Sequence, residues 1–147
     1  MAIIDAQTLF CDGQVITGTA ATVSTNVLDL TPLATGNLGR NLSVGEDLFL
    51  QINVGSVTGT SPTTSIAIQT DATEAFSTPI VLATLPTTSL AATGNVILAR
   101  LPVGLYESYL RLVITQGGTS PVGTYKAALV RGAQLQTQYA DAVVISA

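Results

Sequence analysis

The sequence predicts an all-β fold, an antiparallel β-sandwich of the jelly-roll type, formed by one domain that spans residues 1–147. Three observations predict it. Apolar residues alternate with a period of two, turn residues separate many short segments, and no stretch of ten residues shows helical periodicity. About nine short strands at this spacing are typical of a sandwich or jelly roll.

The strand candidates differ in strength. The clearest alternation occurs in Leu48–Val54, Ser65–Gln69 and Tyr109–Thr115. Further candidates are Gln14–Thr17, Asn26–Leu30, Ile80–Leu85, Asn95–Leu101, Thr124–Arg131 and Leu135–Val144. In the Tyr109–Thr115 segment we expect Leu110 and Leu112 to point inward and Tyr109 and Arg111 to point outward.

Two copies of one tetrapeptide lie between strong strand candidates. Gly59-Thr60-Ser61-Pro62 and Gly118-Thr119-Ser120-Pro121 both combine glycine, serine and proline, which are typical of turns. Each copy is therefore predicted to be a hairpin loop.

One local exception to the β pattern is the segment Asp71–Phe76. Asp71 can cap a helical turn, and Glu74 stands three residues later, as in a capping box. We expect one short helical turn here, with Phe76 packed back onto the core. A calcium site formed by the two carboxylates is the alternative, and the capping box is preferred because it accounts for the spacing without an ion.

The composition favours a protein that associates with other proteins. Hydrophobic residues make up 47% of the chain and charged residues only 10%, against roughly a quarter in a typical soluble domain. A surface so poor in charge protects a free monomer weakly against association. The alternative is a neutral, Thr-rich secreted or structural domain.

The residue inventory argues against an enzyme or a cofactor-binding protein. The chain has no His and one Cys, Cys11, which excludes His-based triads and His-ligated metal sites as well as an intrachain disulfide. We expect Cys11 to be a structural thiol, because Asp12 beside it disfavours a thiolate. No phosphate-binding motif is present.

Charge and hydropathy argue against two further classes of partner. The five basic residues are scattered, whereas nucleic-acid binding needs a basic stripe. No segment approaches the roughly 18 apolar residues of a membrane span. The N-terminal residues lack the basic and apolar regions of a secretory signal, so we expect synthesis in a cytoplasm.

Tyr106 and Tyr109 flank the start of one predicted strand and are candidate binding anchors. The alternative is a cross-strand pair on the face of a sheet.

Three stretches of the chain resemble capsid cement proteins of tailed bacteriophages. They are Met1–Asp12; Ile66–Asp71 with Ala75–Pro79; and a run that includes Leu101-Pro102, Tyr109–Leu112, Gly123 and Ala127–Val130. These are patterns of strands and turns that extend from the first residue to about Arg131, and none is a catalytic signature.

The resemblance implies a jelly-roll structural protein of the virion. Such a protein assembles as a homo-oligomer on the outer capsid surface after the shell expands. It bridges subunits of the major capsid protein and holds the shell against the pressure of packaged DNA. It is made in the host cytoplasm. The runner-up is a glycan-binding jelly-roll module of a phage adhesin, against which the absence of Trp counts. An enzyme with a carboxylate pair is a third hypothesis.

Two groups of residues are candidates for contacts in that role. Residues 1–12 are a candidate capsid-contacting arm, in which the contact residues would be Ile3, Ile4, Asp5, Leu9 and Phe10. The alternative is that this segment is the first strand of the sandwich. Tyr106, Tyr109 and Arg111 are the candidates for contacts with an oligomer partner or another protein.

Overall fold

The computed structural model describes residues 8–31, 41–42, 47–85 and 93–131. Its strands are β1 (Leu9–Thr17), β2 (Thr22–Val23), β3 (Leu28–Asp29), β4 (Asn41–Leu42), β5 (Leu48–Asp71), β6 (Ile80–Leu85), β7 (Val96–Arg100), β8 (Gly104–Leu105) and β9 (Tyr109–Arg131). The predicted all-β class is confirmed. The described part of the chain contains no helix of the length and apolarity required to cross a membrane. The predicted strand Leu135–Val144 lies outside the described residues.

Two long strands, β5 and β9, form the axis of the fold. They pair antiparallel along their whole lengths, from Leu48 opposite Arg131 to Asp71 opposite Tyr109. Every strand except the small β4–β8 pair adds to this ladder. The predicted short strands Leu48–Val54 and Ser65–Gln69 are therefore parts of one strand.

The two tetrapeptides are not hairpin loops, which corrects the prediction from their turn chemistry. They lie opposite each other in the middle of the β5–β9 ladder, where Thr60 pairs with Thr119. The register shifts at this point, and both copies adopt positive φ: +118° at Gly59 and +99° at Gly118, with +50° and +49° at Ser61 and Ser120. The turn residues thus bend two paired strands together, as β-bulges do.

The bend divides the sheet into two half-sheets. Half-sheet one contains β6, residues 60–71 of β5, residues 109–119 of β9, and β2 with β3, in that spatial order. Half-sheet two contains β7, residues 48–58 of β5, residues 122–131 of β9, and β1. With β2 and β3 counted as one strand position, each half-sheet has four strands, and two such layers form a jelly roll, as predicted.

The inner faces of the two half-sheets share one hydrophobic core. Half-sheet one contributes Ile66, Ile68, Leu110, Leu112 and Ile114, and half-sheet two contributes Phe10, Cys11, Leu50, Ile52, Val54, Tyr125 and Ala127. The alternation predicted for the three strongest strand candidates is therefore confirmed, because their alternate apolar side chains lie in the core.

A buried polar cluster connects the half-sheets beside the bend. The Tyr125 hydroxyl lies 2.7 Å from Thr64 Oγ1. With the Gln116 amide oriented so that each polar atom is paired, its oxygen accepts from Tyr125 Oη at 2.9 Å and from Gly123 N at 3.0 Å, and its nitrogen donates to Ile16 O at 3.0 Å. Satisfied in this way, the cluster fixes the packing of one layer on the other.

The segment after β5 also differs from the prediction. Residues Asp71–Phe76 form no helical turn of their own; Phe76 N donates to Thr73 O at 3.1 Å in a single tight turn. The expectation that Phe76 packs inward is confirmed, since its side chain is buried.

The bend requires glycine at position 118. A Cβ there would lie 2.7 Å from the carbonyl oxygens of Thr60 and Ser61, and φ is positive as well. We expect Gly118→Ala to lower the free energy of unfolding by about 2 kcal/mol or more in urea denaturation. The control is Gly94→Ala, which has positive φ but open space around the new Cβ and should cost about 1 kcal/mol. Equal losses of stability in the two variants would show that a Cβ at position 118 does not clash with the backbone of the bend.

The polar cluster predicts a specific effect of removing one hydroxyl. Tyr125→Phe removes one hydrogen-bond partner from each of the buried side chains Thr64 and Gln116. We therefore expect the free energy of unfolding to fall by about 1–3 kcal/mol. Tyr109→Phe, at a half-exposed position, should change stability by about 0.5 kcal/mol or less. Both variants are measured by urea denaturation, and a neutral Tyr125→Phe would show that the cluster does not stabilise the fold.

Candidate partner-binding face

The candidate arm is only partly described. Ile3, Ile4 and Asp5 lie outside the described residues. Leu9 and Phe10 belong to β1, where Leu9 pairs with Ala128 of β9. Phe10 is fully buried in the core, so its assignment as a capsid contact is wrong and the alternative of a first strand holds for this part of the segment.

Tyr106 is also not available to a partner. Its side chain is 2% exposed and belongs to the core, and its hydroxyl donates to Pro102 O at 2.5 Å. Burial raises the pKa of Tyr106 to about 12. The prediction of a contact at Tyr106 is corrected for this reason, since ring and hydroxyl are both satisfied inside the domain.

Tyr109 and Arg111 lie where the alternation placed them, on the outer face of half-sheet one. Tyr109 pairs with Asp71 of β5 on one side and with Asp29 of β3 on the other. This agrees with the alternative of cross-strand pairing. Both side chains are half-buried, so each still presents part of its surface to solvent.

Arg111 is held rigidly against the sheet. Its Nε and Nη2 donate to Gln69 Oε1 at 3.0 and 2.9 Å, and its guanidinium carbon lies 4.0 Å from the centre of the Phe76 ring. The fork of two hydrogen bonds and the cation–π contact engage much of the guanidinium within its own domain. Arg111 is therefore fixed in position on this face and keeps its positive charge, because neither Gln69 nor Phe76 is an anion.

The turn that carries Phe76 is fixed by Asp71. The Asp71 carboxylate accepts hydrogen bonds from Thr73 N at 2.8 Å, Thr73 Oγ1 at 3.1 Å and Thr78 N at 2.8 Å. The Thr73 N–H bond, together with the bond from Thr78, holds the pKa of Asp71 below its usual range. The carboxylate thus accepts from nearby backbone N–H groups, as a cap does, but the helical turn that it was predicted to cap is not formed. Glu74, the other half of the predicted box, is exposed and has no hydrogen bond within the described part of the chain.

We name as the outer face two rows of side chains on half-sheet one. The first row runs across four adjacent strands, β2, β9, β5 and β6. It consists of Val23, Val113, Ala67 and Thr84. The second row is Arg111, Gln69 and Val81. Val23 is 46% and Val81 53% exposed. Small aliphatic and hydroxyl side chains therefore dominate a face whose one cation, Arg111, is engaged.

The opposite side of the sandwich, on half-sheet two, is built differently. Its central side chains are already covered: Gln51 and Ala128 are each 2% exposed, and Val130 is 7% exposed. Two ion pairs lie on this side of the sandwich, between Arg100 and Asp47 at 2.5 Å and between Lys126 of the central strand β9 and Asp12 of β1 at 2.9 Å. The basic side chains there are matched by carboxylates at short range.

The chemistry available in the described residues is limited. They contain no group of three or more His, Cys, Asp or Glu side chains that could hold a metal ion. Burial raises the pKa of the Cys11 thiol to about 11, so the thiol stays protonated near neutral pH.

Sequence reasoning missed the two valines at the margins of the outer face. Val23 belongs to a strand of two residues, too short to show a period of two. Val81 belongs to a strand whose pairing with β5 shifts register, so alternation alone misassigns its side. The register of neighbouring strands reveals both positions.

The family model named Bbp16 matches residues 10–130, which include all the strands from β2 to β8 and nearly all of β1 and β9. No curated protein matches the chain.

The Asp71 cap predicts a pH-dependent contribution to stability. The folded-state pKa is lowered, so the stabilisation is complete above the unfolded pKa of about 3.9 and is lost as the pH falls through the folded value. Asp71→Asn places an NH₂ group where one oxygen accepted, and should be less stable than the wild type at pH 7. The gap should narrow at about pH 3 and below. Urea midpoints at both pH values test this, with Glu74→Gln as the matched variant that should behave as wild type; a gap independent of pH would contradict the cap.

Proposed function

We propose that this chain, which belongs to the Bbp16 family, is a non-enzymatic structural protein of a phage virion. In this proposal it binds the outer surface of the capsid and cements neighbouring subunits of the major capsid protein. The resemblance of three stretches of its sequence to capsid cement proteins suggests the role. The jelly-roll fold, which such proteins share, is compatible with it.

One structural observation carries the proposal, namely the way charge and apolar surface are distributed. Within the described ranges, six large aliphatic side chains are exposed: Val15, Val23, Ile80, Val81, Val96 and Val103. Of the four basic residues that the structure describes, Arg100 and Lys126 each pair with an aspartate, and Arg111 donates to Gln69. A surface of this kind loses little solvation when another protein covers it, which supports an association role.

The same distribution argues against the other classes of partner. Phosphate binding requires free Lys or Arg side chains in a patch, whereas Arg100 and Lys126 are each matched by an aspartate. Nucleic acid and membrane are therefore not among the proposed partners. These are the major capsid protein and further copies of the chain itself, on the virion surface after synthesis in the host cytoplasm.

The physical basis of cementing is multivalency. A contact of about 800 Å² on each partner is enough for a specific interface, and it need not be tight. A unit that touches two capsid subunits makes the second contact at a high effective concentration. Many such units around a closed shell resist the separation of any one pair of subunits.

The proposal predicts saturable binding to expanded capsids that lack the protein. The purified chain is mixed with these capsids, sedimented and quantified against the major capsid protein, and the washed particles are then melted. We expect a fixed ratio at saturation and a higher melting temperature of the shell, because binding to the assembled state stabilises it.

A matched control uses unexpanded shells, for which we expect weaker binding or none. Absence of binding to expanded capsids would contradict the cement role. A glycan array then tests the adhesin alternative, and specific glycan binding by a chain that ignores capsids would establish that alternative instead.

A further inference from the structure

The geometry points to an internal two-fold repeat, in which residues 9–71 and residues 80–131 are two copies of one structural unit. The first unit contains β1 to β5, and the second unit contains β6 to β9. Each unit is the binding partner of the other, through a self-complementary surface of the kind that two copies of one chain share. This inference goes beyond the proposed function and does not rest on it.

The first argument is the order and pairing of the strands. Each unit ends with its long strand, β5 or β9. The opening strands, β1 and β6, pair with the second half of the other unit's long strand, whereas β2 with β3, and likewise β7, pair with its first half. Within the described part of the chain, every strand pairing joins one unit to the other. Exchange of the two units therefore leaves the pattern of pairing unchanged.

The second argument is the position of the axis. The two identical tetrapeptides occupy the middle of the two long strands, where Thr60 of one faces Thr119 of the other. The small β4–β8 pair also lies on the axis, because exchange of the units maps its two residue pairs onto each other. One two-fold axis through these two places relates the units.

The third argument is a β-bulge that recurs in both units. The opening strand of each unit has one extra residue at the same step of its ladder, Phe10 in β1 and Leu82 in β6, and both side chains pack in or against the core. The pairs that flank these two residues correspond: Leu9–Ala128 with Cys11–Ala127 in β1, and Val81–Gln69 with Ala83–Ile68 in β6. Since a ladder can form without a bulge, its recurrence marks the two strands as equivalent.

The fourth argument is the hydrogen bonding at the start of each long strand. Leu30 N donates to Ser108 O at 2.8 Å, and Leu101 N donates to Leu48 O at 2.9 Å. Ser108 directly precedes β9, and Leu48 is the first residue of β5. Leu30 and Leu101 are both buried, so the two units also share this contact with the core.

The repeat accounts for the similar exposure of the two outer sides. Val23 of β2 and Val96 of β7 lie on corresponding edge strands, and they are 46% and 44% exposed. Two copies of one unit produce such matching edges on opposite sides of the sandwich.

A circular permutant of the full chain tests whether the units hold each other without the turn that connects them. The chain is opened between the exposed residues Glu74 and Ala75, and Ala147 is joined to Met1. Because the strand pairings between the units are kept, we expect the oligomeric state of the wild type and a urea midpoint within about 1 M of it.

The control permutant is opened between Ala67 and Ile68, inside β5, and should unfold at a lower urea concentration because the cut interrupts a long strand. Equal midpoints in the two permutants, or a first permutant that does not unfold cooperatively, would contradict two units that are held together by their pairing.

Distances between spin labels test the symmetry itself, whether or not a permutant folds. One variant is Val23→Cys with Arg100→Cys, and its matched counterpart is Val96→Cys with Asp29→Cys, since Asp29 ends β3 as Arg100 ends β7. All four positions are exposed, and the native Cys11 is buried. Each labelled variant is diluted with unlabelled protein, so that only distances within one chain are measured. We expect the two distance distributions to coincide, and two resolved, different mean distances would overturn the repeat.

Discussion

The bend shared by β5 and β9 is the constraint on which the rest of the structure depends. Both strands change direction at the same level, where Thr60 faces Thr119, and their ladder remains paired on either side. One pair of strands therefore supplies the centre of both half-sheets. Since the two inner faces then confront each other, the apolar residues of each strand can enter a single core.

The bend also decides which surfaces remain for a partner. The layers are joined by Tyr125 and Gln116 on the inside, so binding has to use an edge or an outer face. On half-sheet two, the edge strands β1 and β7 expose Val15 and Val96. On half-sheet one, the edge strands β2 and β6 expose Val23 and Val81. Both outer sides therefore keep aliphatic side chains that a partner can cover.

Several features were predictable because they depend on neighbours along the chain. The alternation that buries Leu110, Leu112 and Ile114 reflects the geometry of one strand, and the cap at Asp71 reflects the reach of one carboxylate. The prediction of hairpin loops at the two tetrapeptides was wrong because it also used only neighbours along the chain. Glycine, serine and proline permit a sharp change of direction, but a hairpin and a bend in two paired strands use the same backbone conformations.

The sequence by itself determined the all-β class, the inward face of the strongest strands, the burial of Phe76 and the scarcity of charge that favours association. Only the tertiary structure decided that β5 and β9 are continuous, that Phe10 and Tyr106 are buried, and that Arg111 is engaged by Gln69 and Phe76. The physical reason is the separation along the chain of the residues that interact. Periodicity and composition depend on the backbone and on single residues, whereas burial and pairing depend on partners far away in the chain, such as Gln69 for Arg111.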